Sequence, residues 1–553
     1  MKRFALTLLA STLALGLAAC EGDDGKNGSN GSNGTPGLGD VLLNLSKIGN
    51  YASGRFAEGA AEIVAFDPGS KRLFVVNAAD VSIDVLDLAN PAAPAKLSTI
   101  QISGGSSANS VAVSNGVVAV AIQAPVKTDN GKVEFYNAAT LAKISEVTVG
   151  ALPDMLTFTP DGKAVLVANE GEPNAGYTID PVGSVSVIDV ATIATPTVQT
   201  IDFSAFNSDA EKAKLVADGV RIYGPGASVA QDLEPEYIAV APDGKTAWVT
   251  LQEANAQAVL NIGNLAAPTI TRIKSFGRKD HSLIGNELDA NDRDGPGNGP
   301  RIDIRNWPIK GLYQPDAIAA YAYNGKTYYV TANEGDDRND FIPGEETKRL
   351  SANSIVLDPA IFPDAATLKT SSVLGRLTIT PFGAKTNQAG ELQEILVLGG
   401  RSFSIWNEDG QQVYDSGSEF ERIVAQRSPL FFNASNDNNN QDDRSDNKGP
   451  EPEGVVLGKI SGRSFAFIGL ERIGGVMVYD ISNPQNARFV QYINPRDFTA
   501  QVSSAAAGDL GPEGLAFIPA ANSPNGKPLL AVGNEVSGTT AIYQIDVIEL
   551  KNN

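Results

Sequence analysis

Short runs of apolar residues recur along nearly the whole chain, and most open on an acid: Glu62-Ile-Val-Ala-Phe66, Asp154-Met-Leu-Thr-Phe158, Glu236-Tyr-Ile-Ala-Val240, Asp316-Ala-Ile-Ala-Ala320, Glu453-Gly-Val-Val-Leu457 and Glu513-Gly-Leu-Ala-Phe517. Asn109-Ser-Val-Ala-Val113 is a further copy with an amide in place of the acid. Runs of this length read as strands. A Gly-containing turn follows each, then a second apolar strand, then a third ending near Asp or Asn. In the third unit these are residues 156–158, the turn Pro160-Asp161-Gly162-Lys163, 164–168 and 184–189. Gly supplies positive φ and Asp or Asn tolerates it, so the turns predict hairpins. Asp67-Pro-Gly-Ser-Lys71, Ser114-Asn-Gly116, Pro242-Asp-Gly-Lys245 and Asn324-Gly-Lys326 match them. Helical periodicity is scarce, with 205–217 the best candidate.

A strand unit that returns about every 40 to 80 residues, with no helical pattern between copies, predicts a β-propeller. The expected fold is all-β: a single propeller over 41–553 of about eight four-stranded blades, with seven as the alternative count. The sixth unit is irregular. Its first strand reads Gly375-Arg-Leu-Thr-Ile-Thr380 without a leading acid, its next two run from Glu394 through Trp406, and 339–371 is hard to place. Residues 41–51 form a candidate outer strand for the last blade, closing the ring and removing an exposed edge.

The chain has 553 residues, 42% hydrophobic, with 55 glycines. That suits many short strands and turns, and a propeller grows by adding blades rather than by thickening one core. The formal charge of −21 speaks against nucleic acid or an anionic lipid surface as a partner and favours cations. At the N-terminus Lys2 and Arg3 precede an apolar run that ends in Leu17-Ala-Ala-Cys20, as in a bacterial lipoprotein signal. Residues 1–19 are read as the signal peptide and Cys20, the one cysteine, as the lipidated residue. Glu21 follows, so the expected place is the outer membrane, periplasmic or cell-surface facing. Within 20–40 a Gly falls at every third position from Gly25 to Gly37, too few triplets for collagen, and the stretch is read as a flexible spacer.

In a propeller blade the first strand lines the channel and the second returns antiparallel, so the head of one and the tail of the other share a face. The tails carry Glu170, Glu253, Glu334, Glu471 and Glu535. These should meet the heads Glu62, Asp154, Glu236, Asp316, Glu453 and Glu513 at one channel mouth. The long segments 171–183, 205–233, 279–313, 335–370 and 426–450 follow second strands or join blades, so they should stack over the same face. Crowded carboxylates need compensation. Ca²⁺, or another hard divalent cation, supplies it through six to eight oxygen ligands. Structural ion pairing is the alternative, with Arg338, Arg401, Arg444 and Arg472 expected on this face. His281, the sole histidine, is a candidate acid or base, and it leaves little for zinc or for Ser-His chemistry. Asp289-Ala-Asn-Asp-Arg-Asp294-Gly295 and the stretch from Asn436 to Asp446 are rich in oxygen donors, though Ala290 breaks an EF-hand register.

Glu58-Gly-Ala-Ala-Glu62, Ala168-Asn-Glu-Gly-Glu-Pro-Asn174, Val229-Ala-Gln-Asp-Leu-Glu-Pro-Glu236, Lys279-Asp-His-Ser-Leu283, Lys448-Gly-Pro-Glu-Pro-Glu-Gly454 and Asn534-Glu-Val-Ser-Gly538 resemble the choice-of-anchor I domain from about residue 50 onward. That family of secreted, surface-attached propellers also resembles animal mesenchyme-specific cell-surface glycoproteins. The resemblance implies a surface domain, and some relatives carry alkaline-phosphatase or phytase-like labels.

Two functions follow as expectations. One is a metal-dependent phosphoesterase, with Arg338, Arg401, Arg472 and Lys448 offsetting phosphate charge. It requires carboxylates and basic groups to meet in a pocket. The other is a non-catalytic binding or adhesion module, for which Tyr177, Tyr223, Trp307 and Tyr313 should be exposed. The expected partners are the membrane, through the lipid anchor alone, and a phosphorylated small molecule or a surface ligand, with the chain itself a monomer.

Overall fold

The computed structural model describes residues 41–549. The expected signal peptide, Cys20 and spacer lie outside them. Seven antiparallel four-stranded sheets form, with inner strands Val64–Asp67, Ser107–Ser114, Pro153–Phe158, Ile238–Val240, Ile318–Tyr323, Pro452–Ile460 and Pro512–Ile518. Each inner strand neighbours the next, and the last neighbours the first, so the sheets are seven blades (blades 1 to 7 in chain order) of one closed propeller. Seven apolar clusters fill the seven blade interfaces. Val75 and Leu86 of blade 1, for example, pack with Leu529 and Ile542 of blade 7, across the closure.

The strands form where the apolar runs fall, and the turns take the geometry that their residues allow. Asn115 and Gly116 both have positive φ, as a two-residue hairpin turn requires. Val41–Ala52 pairs antiparallel with Thr539–Glu549 and completes blade 7 from the other end of the chain. Asp209–Asp218 is helical, capped by Ser208 at its start and by Gly219, at φ 99°, at its end.

The irregular sixth unit is divided. Ser402–Asn407 pairs with Lys326–Asn333 as the third strand of blade 5. Thr378–Ile379 pairs instead with Lys348–Arg349, inside the long insert between those two blade strands. Leu374, Leu377 and Ile379 are buried in a separate core with Trp307, Ile309 and Leu350, which explains the apolar pattern of a segment that lines no channel. Arg278–Asp280, Lys310–Leu312 and Leu396–Val397 make a three-stranded sheet beside it, so two smaller sheets accompany the seven blades. No helix among the described residues is long and apolar enough to cross a membrane.

Candidate functional site: an acidic channel mouth

Five of the acidic heads follow a proline: Pro153-Asp154, Pro235-Glu236, Pro315-Asp316, Pro452-Glu453 and Pro512-Glu513. In blades 3, 6 and 7 the proline pairs with the tail of the second strand, as Pro153 with Asn169, Pro452 with Leu470 and Pro512 with Asn534, and the register then shifts before pairing resumes. The acid sits in that irregularity, where a strand can re-aim a side chain. Head and tail acids are thereby brought to the same end of these three blades.

Neighbouring heads are in close contact. A Cβ on Gly454 would lie 1.9 Å from the Glu513 carbonyl oxygen, and one on Gly514 would lie 2.5 Å from that of Glu62. Only glycine permits this approach. Asn109 Nδ2 donates to the Pro153 carbonyl at 3.2 Å, Thr250 Oγ1 to the Asp316 carbonyl at 2.9 Å, and Gln252 Nε2 to Glu334 Oε2 at 2.9 Å. Asp154, Asp316, Glu513 and Asn109 line one small cavity of about 40 Å³ with Tyr237. That is room for an ion or a water or two.

The acids raise one another's proton affinity. Burial, then Glu535 and Asp154, push Glu62 up to about 8, and burial, then Glu172 and Glu253, push Asp154 up to about 7. Glu170, Glu236, Asp316, Glu453, Glu471 and Glu513 are held well above the usual carboxylate range, by burial first and then by neighbouring carboxylates. Glu535 is raised by burial, partly offset by Arg472. Carboxylate oxygens of Asp316, Glu334 and Glu453 all lie within 4.8 Å of one another, as do those of Glu334, Glu451 and Glu471. Glu453 Oε2 and Glu513 Oε2 are buried without a hydrogen-bond partner.

The two triads differ in what neutralises them. Lys448 Nζ lies 3.0 Å from both Glu334 and Glu451, while Arg472 bonds Glu451 at 3.0 Å and Glu471 at 2.8 Å. With Arg444 they hold Glu451 well below the usual range despite its burial. No basic side chain pairs with Asp316 or Glu453 among the described residues. The second triad carries built-in cations, and the first shares only Lys448 through Glu334.

Arg338 and Arg401 are placed otherwise. Arg338 is fully buried against Asp232 and Glu234, and Arg401 donates to Glu421 and to the carbonyls of Asp289, Ser445 and Asn447. His281 is also buried, its Nδ1 2.7 Å from the Asn286 carbonyl, and burial with Lys279 and Arg401 nearby keeps it neutral. None of the four aromatics expected on an exposed face is exposed. Trp307 and Tyr313 are buried in separate cores, Tyr223 stacks beneath Arg221 and Arg338, and Tyr177 packs on Phe341.

Further mouth acids lie just outside the repeat. Glu172 and Asp336 follow tail acids in Asn169-Glu-Gly-Glu172 and Asn333-Glu-Gly-Asp336, and Glu234 precedes Pro235-Glu236. The shared Asn-Glu-Gly-acid string is the signal that marks the first two. Its glycines need positive φ, and a Cβ at Gly335 would lie 2.2 Å from the Gly399 nitrogen.

A closed, all-β propeller with a carboxylate-lined mouth defines the class. The chain belongs to the choice-of-anchor I domain family, which matches residues 62–484. It is 28% identical over 186 residues to Gigasin-3a of Magallana gigas, covering 32% of this chain and 65% of that protein. To the mesenchyme-specific cell surface glycoprotein of Strongylocentrotus purpuratus it is 26% identical over 206 residues, covering 32% of this chain and 26% of the other. The chain thus spans less than two thirds of either relative. Among solved structures, Kuenenia stuttgartiensis hydrazine synthase aligns over 91% of this chain and 100% of its own, at TM-score 0.43 and 14% identity. The β-propeller domain of Myceliophteria thermophila Cps50 (Swd1) aligns over 91% and 99%, at TM-score 0.40 and 8% identity.

Proposed function

We propose that the protein is a surface-held, non-catalytic binding module that engages its ligand through a divalent cation at the channel mouth rather than through an exposed aromatic face. An all-oxygen donor set of carboxylates and amides matches calcium best. One observation carries the reading: the Asp316, Glu334 and Glu453 oxygens crowd within 4.8 Å, and two of those acids have no basic partner among the described residues. The neighbouring triad, filled by Lys448 and Arg472, is how this chain treats a cluster that needs no ion. Attachment through Cys20 fits a surface role, as does the name of the sea-urchin relative.

Thermal melting of the chain from Asp40 onward tests this. Calcium at about 100 times its Kd adds roughly 2.7 kcal/mol to stability. That gain should vanish in an Asp316→Asn/Glu453→Gln variant. A melting temperature indifferent to calcium would remove the reading.

A metal-dependent phosphoesterase is the second reading, favoured by Lys448, which bonds Glu334 of the open triad, and by Arg472 on the adjoining one. Hydrolysis of a chromogenic phosphate ester with calcium, abolished by chelator, would move the assignment to it. Ion pairing of every candidate phosphate-holding cation favours no turnover.

A further inference from the structure

The segment after blade 4 and the insert that interrupts blade 5 share a core that serves no blade. Beside that core opens a cleft of about 580 Å³, within the size range of ligand pockets. It shares no residue with the channel mouth. The cleft sits at one end of the three-stranded sheet: Asp280 closes the first strand and pairs with Lys310, which opens the second and pairs with Leu396 of the third. Ile309 and Ile395, just beyond that end, are buried with Phe362 and give the cleft an apolar floor. Ile361 on its wall is 52% exposed, and Leu283 and Ile284, which follow the lining residue Ser282, are exposed as well. Exposed apolar side chains beside a concavity mark a contact site.

The polar groups on the walls divide into those already paired and those left over. Glu394 Oε1 accepts from Arg278 Nη1 and, at 2.7 Å, from the Lys385 amide. Asp280 Oδ1 accepts from the Ser282 amide at 3.0 Å and from its hydroxyl at 2.6 Å. The ammonium groups of Lys310 and Lys385, by contrast, make no hydrogen bond or ion pair of their own among the described residues. Asp364 stands at the start of the one-turn helix Ala365–Leu368 without capping any of its amides. Gln393 Nε2 donates to Asp358 Oδ2 at 3.0 Å, and its carbonyl oxygen accepts nothing among the described residues. Two ammonium groups, one carboxylate and one amide oxygen are thus left over an apolar floor. A purely anionic ligand meets Asp364 with repulsion, a purely cationic one meets both lysines, and an uncharged apolar one leaves all three charges without partners.

We propose that this cleft binds a short apolar peptide with free ends: Lys310 and Lys385 take its carboxylate, Asp364 its ammonium, and Ile309, Ile361, Phe362 and Ile395 its side chains. Gln393 offers its carbonyl oxygen to a peptide N–H. The assignment does not depend on a cation at the mouth.

Calorimetric titration of the full chain with trileucine, in chelator so that no metal takes part, tests the proposal. Amidating the peptide carboxylate or acetylating its amine should each weaken binding about tenfold, the scale of a hydrogen bond to a charged group. Lys310→Met/Lys385→Met and Asp364→Asn should do the same. Amidation should then cost nothing further in the lysine variant, nor acetylation in Asp364→Asn, because the paired group is already gone. Ile361→Asp should abolish binding. Lys385, Asp364 and Ile361 are exposed, so their variants should keep the parent melting temperature; if the lysine double variant does not, Lys385→Met alone replaces it. No heat with trileucine, or an affinity indifferent to capping or to these substitutions, would overturn the proposal. Binding that needs the carboxylate and the lysines but not the amine would overturn it too, in favour of a simple amphipathic anion. Failure of the mouth reading shows in calcium-dependent melting and leaves the trileucine heats unaltered.

Discussion

A carboxylate at the head of an inner strand is cheap to place and costly to bury, and the chain handles each copy according to what lies beside it. Glu451 receives Lys448, Arg444 and Arg472, while Glu453, two residues on, receives none. Arg338 shows the reverse case, a guanidinium enclosed by Asp232 and Glu234 with no exposed surface. Replacing it by Met would strand two buried carboxylates. The expected loss is about 3–5 kcal/mol by chemical denaturation, the usual result of removing one partner from a buried ion pair. A loss below about 1 kcal/mol would show that those acids take up protons and that the pair contributes little. The acids themselves were legible in the sequence, because blade geometry fixes where a strand head points. The fate of Arg338 was not, since its partners lie 104 and 106 residues away in a different insert and nothing in the spacing joins them.

Strands were readable wherever the apolar run was bounded by a turn. Gly375-Arg-Leu-Thr-Ile-Thr380 has that local signature too, yet Leu377 and Ile379 serve the core of the insert. Local pattern reports burial, and an insert with its own core produces the same pattern as a blade. The N-terminal strand is the opposite case, visible as 41–51 before any pairing was known. Leu43 and Leu45 enter the core between blades 6 and 7, and the Leu45 backbone exchanges two hydrogen bonds with the Gln491 side chain. Removing Val41–Ala52 would uncover the edge of Thr539–Glu549, a template for pairing with another chain. Such a truncated chain should melt lower and elute from size-exclusion columns as larger species, with a peptide of the missing strand restoring the elution of the intact chain. Unchanged melting and elution would show that the ring closes without this strand.

At the scale of the molecule, six of the seven blades of this chain of net charge −21 bring acids to one opening, and that crowding makes stability depend on pH in a definite direction. Glu62 and Asp336 are pushed up to about 8, and Asp154 and Glu253 to about 7, each by burial before any other cause. Between the ordinary carboxylate range and these values the folded chain holds protons that the unfolded chain has released. The stability they contribute is therefore fully present in acid and is lost as pH rises through about 7 to 8. In chelator the melting temperature should fall across that window. A cation at the mouth replaces the protons as the source of compensation, so calcium should flatten the decline. Its binding should also release protons at about pH 7 and few at about pH 9, read by calorimetry in buffers of different ionisation enthalpy. If the melting temperature declines equally with and without calcium, and binding heat is independent of the buffer, the ion is held elsewhere and the mouth acids are balanced by protons alone.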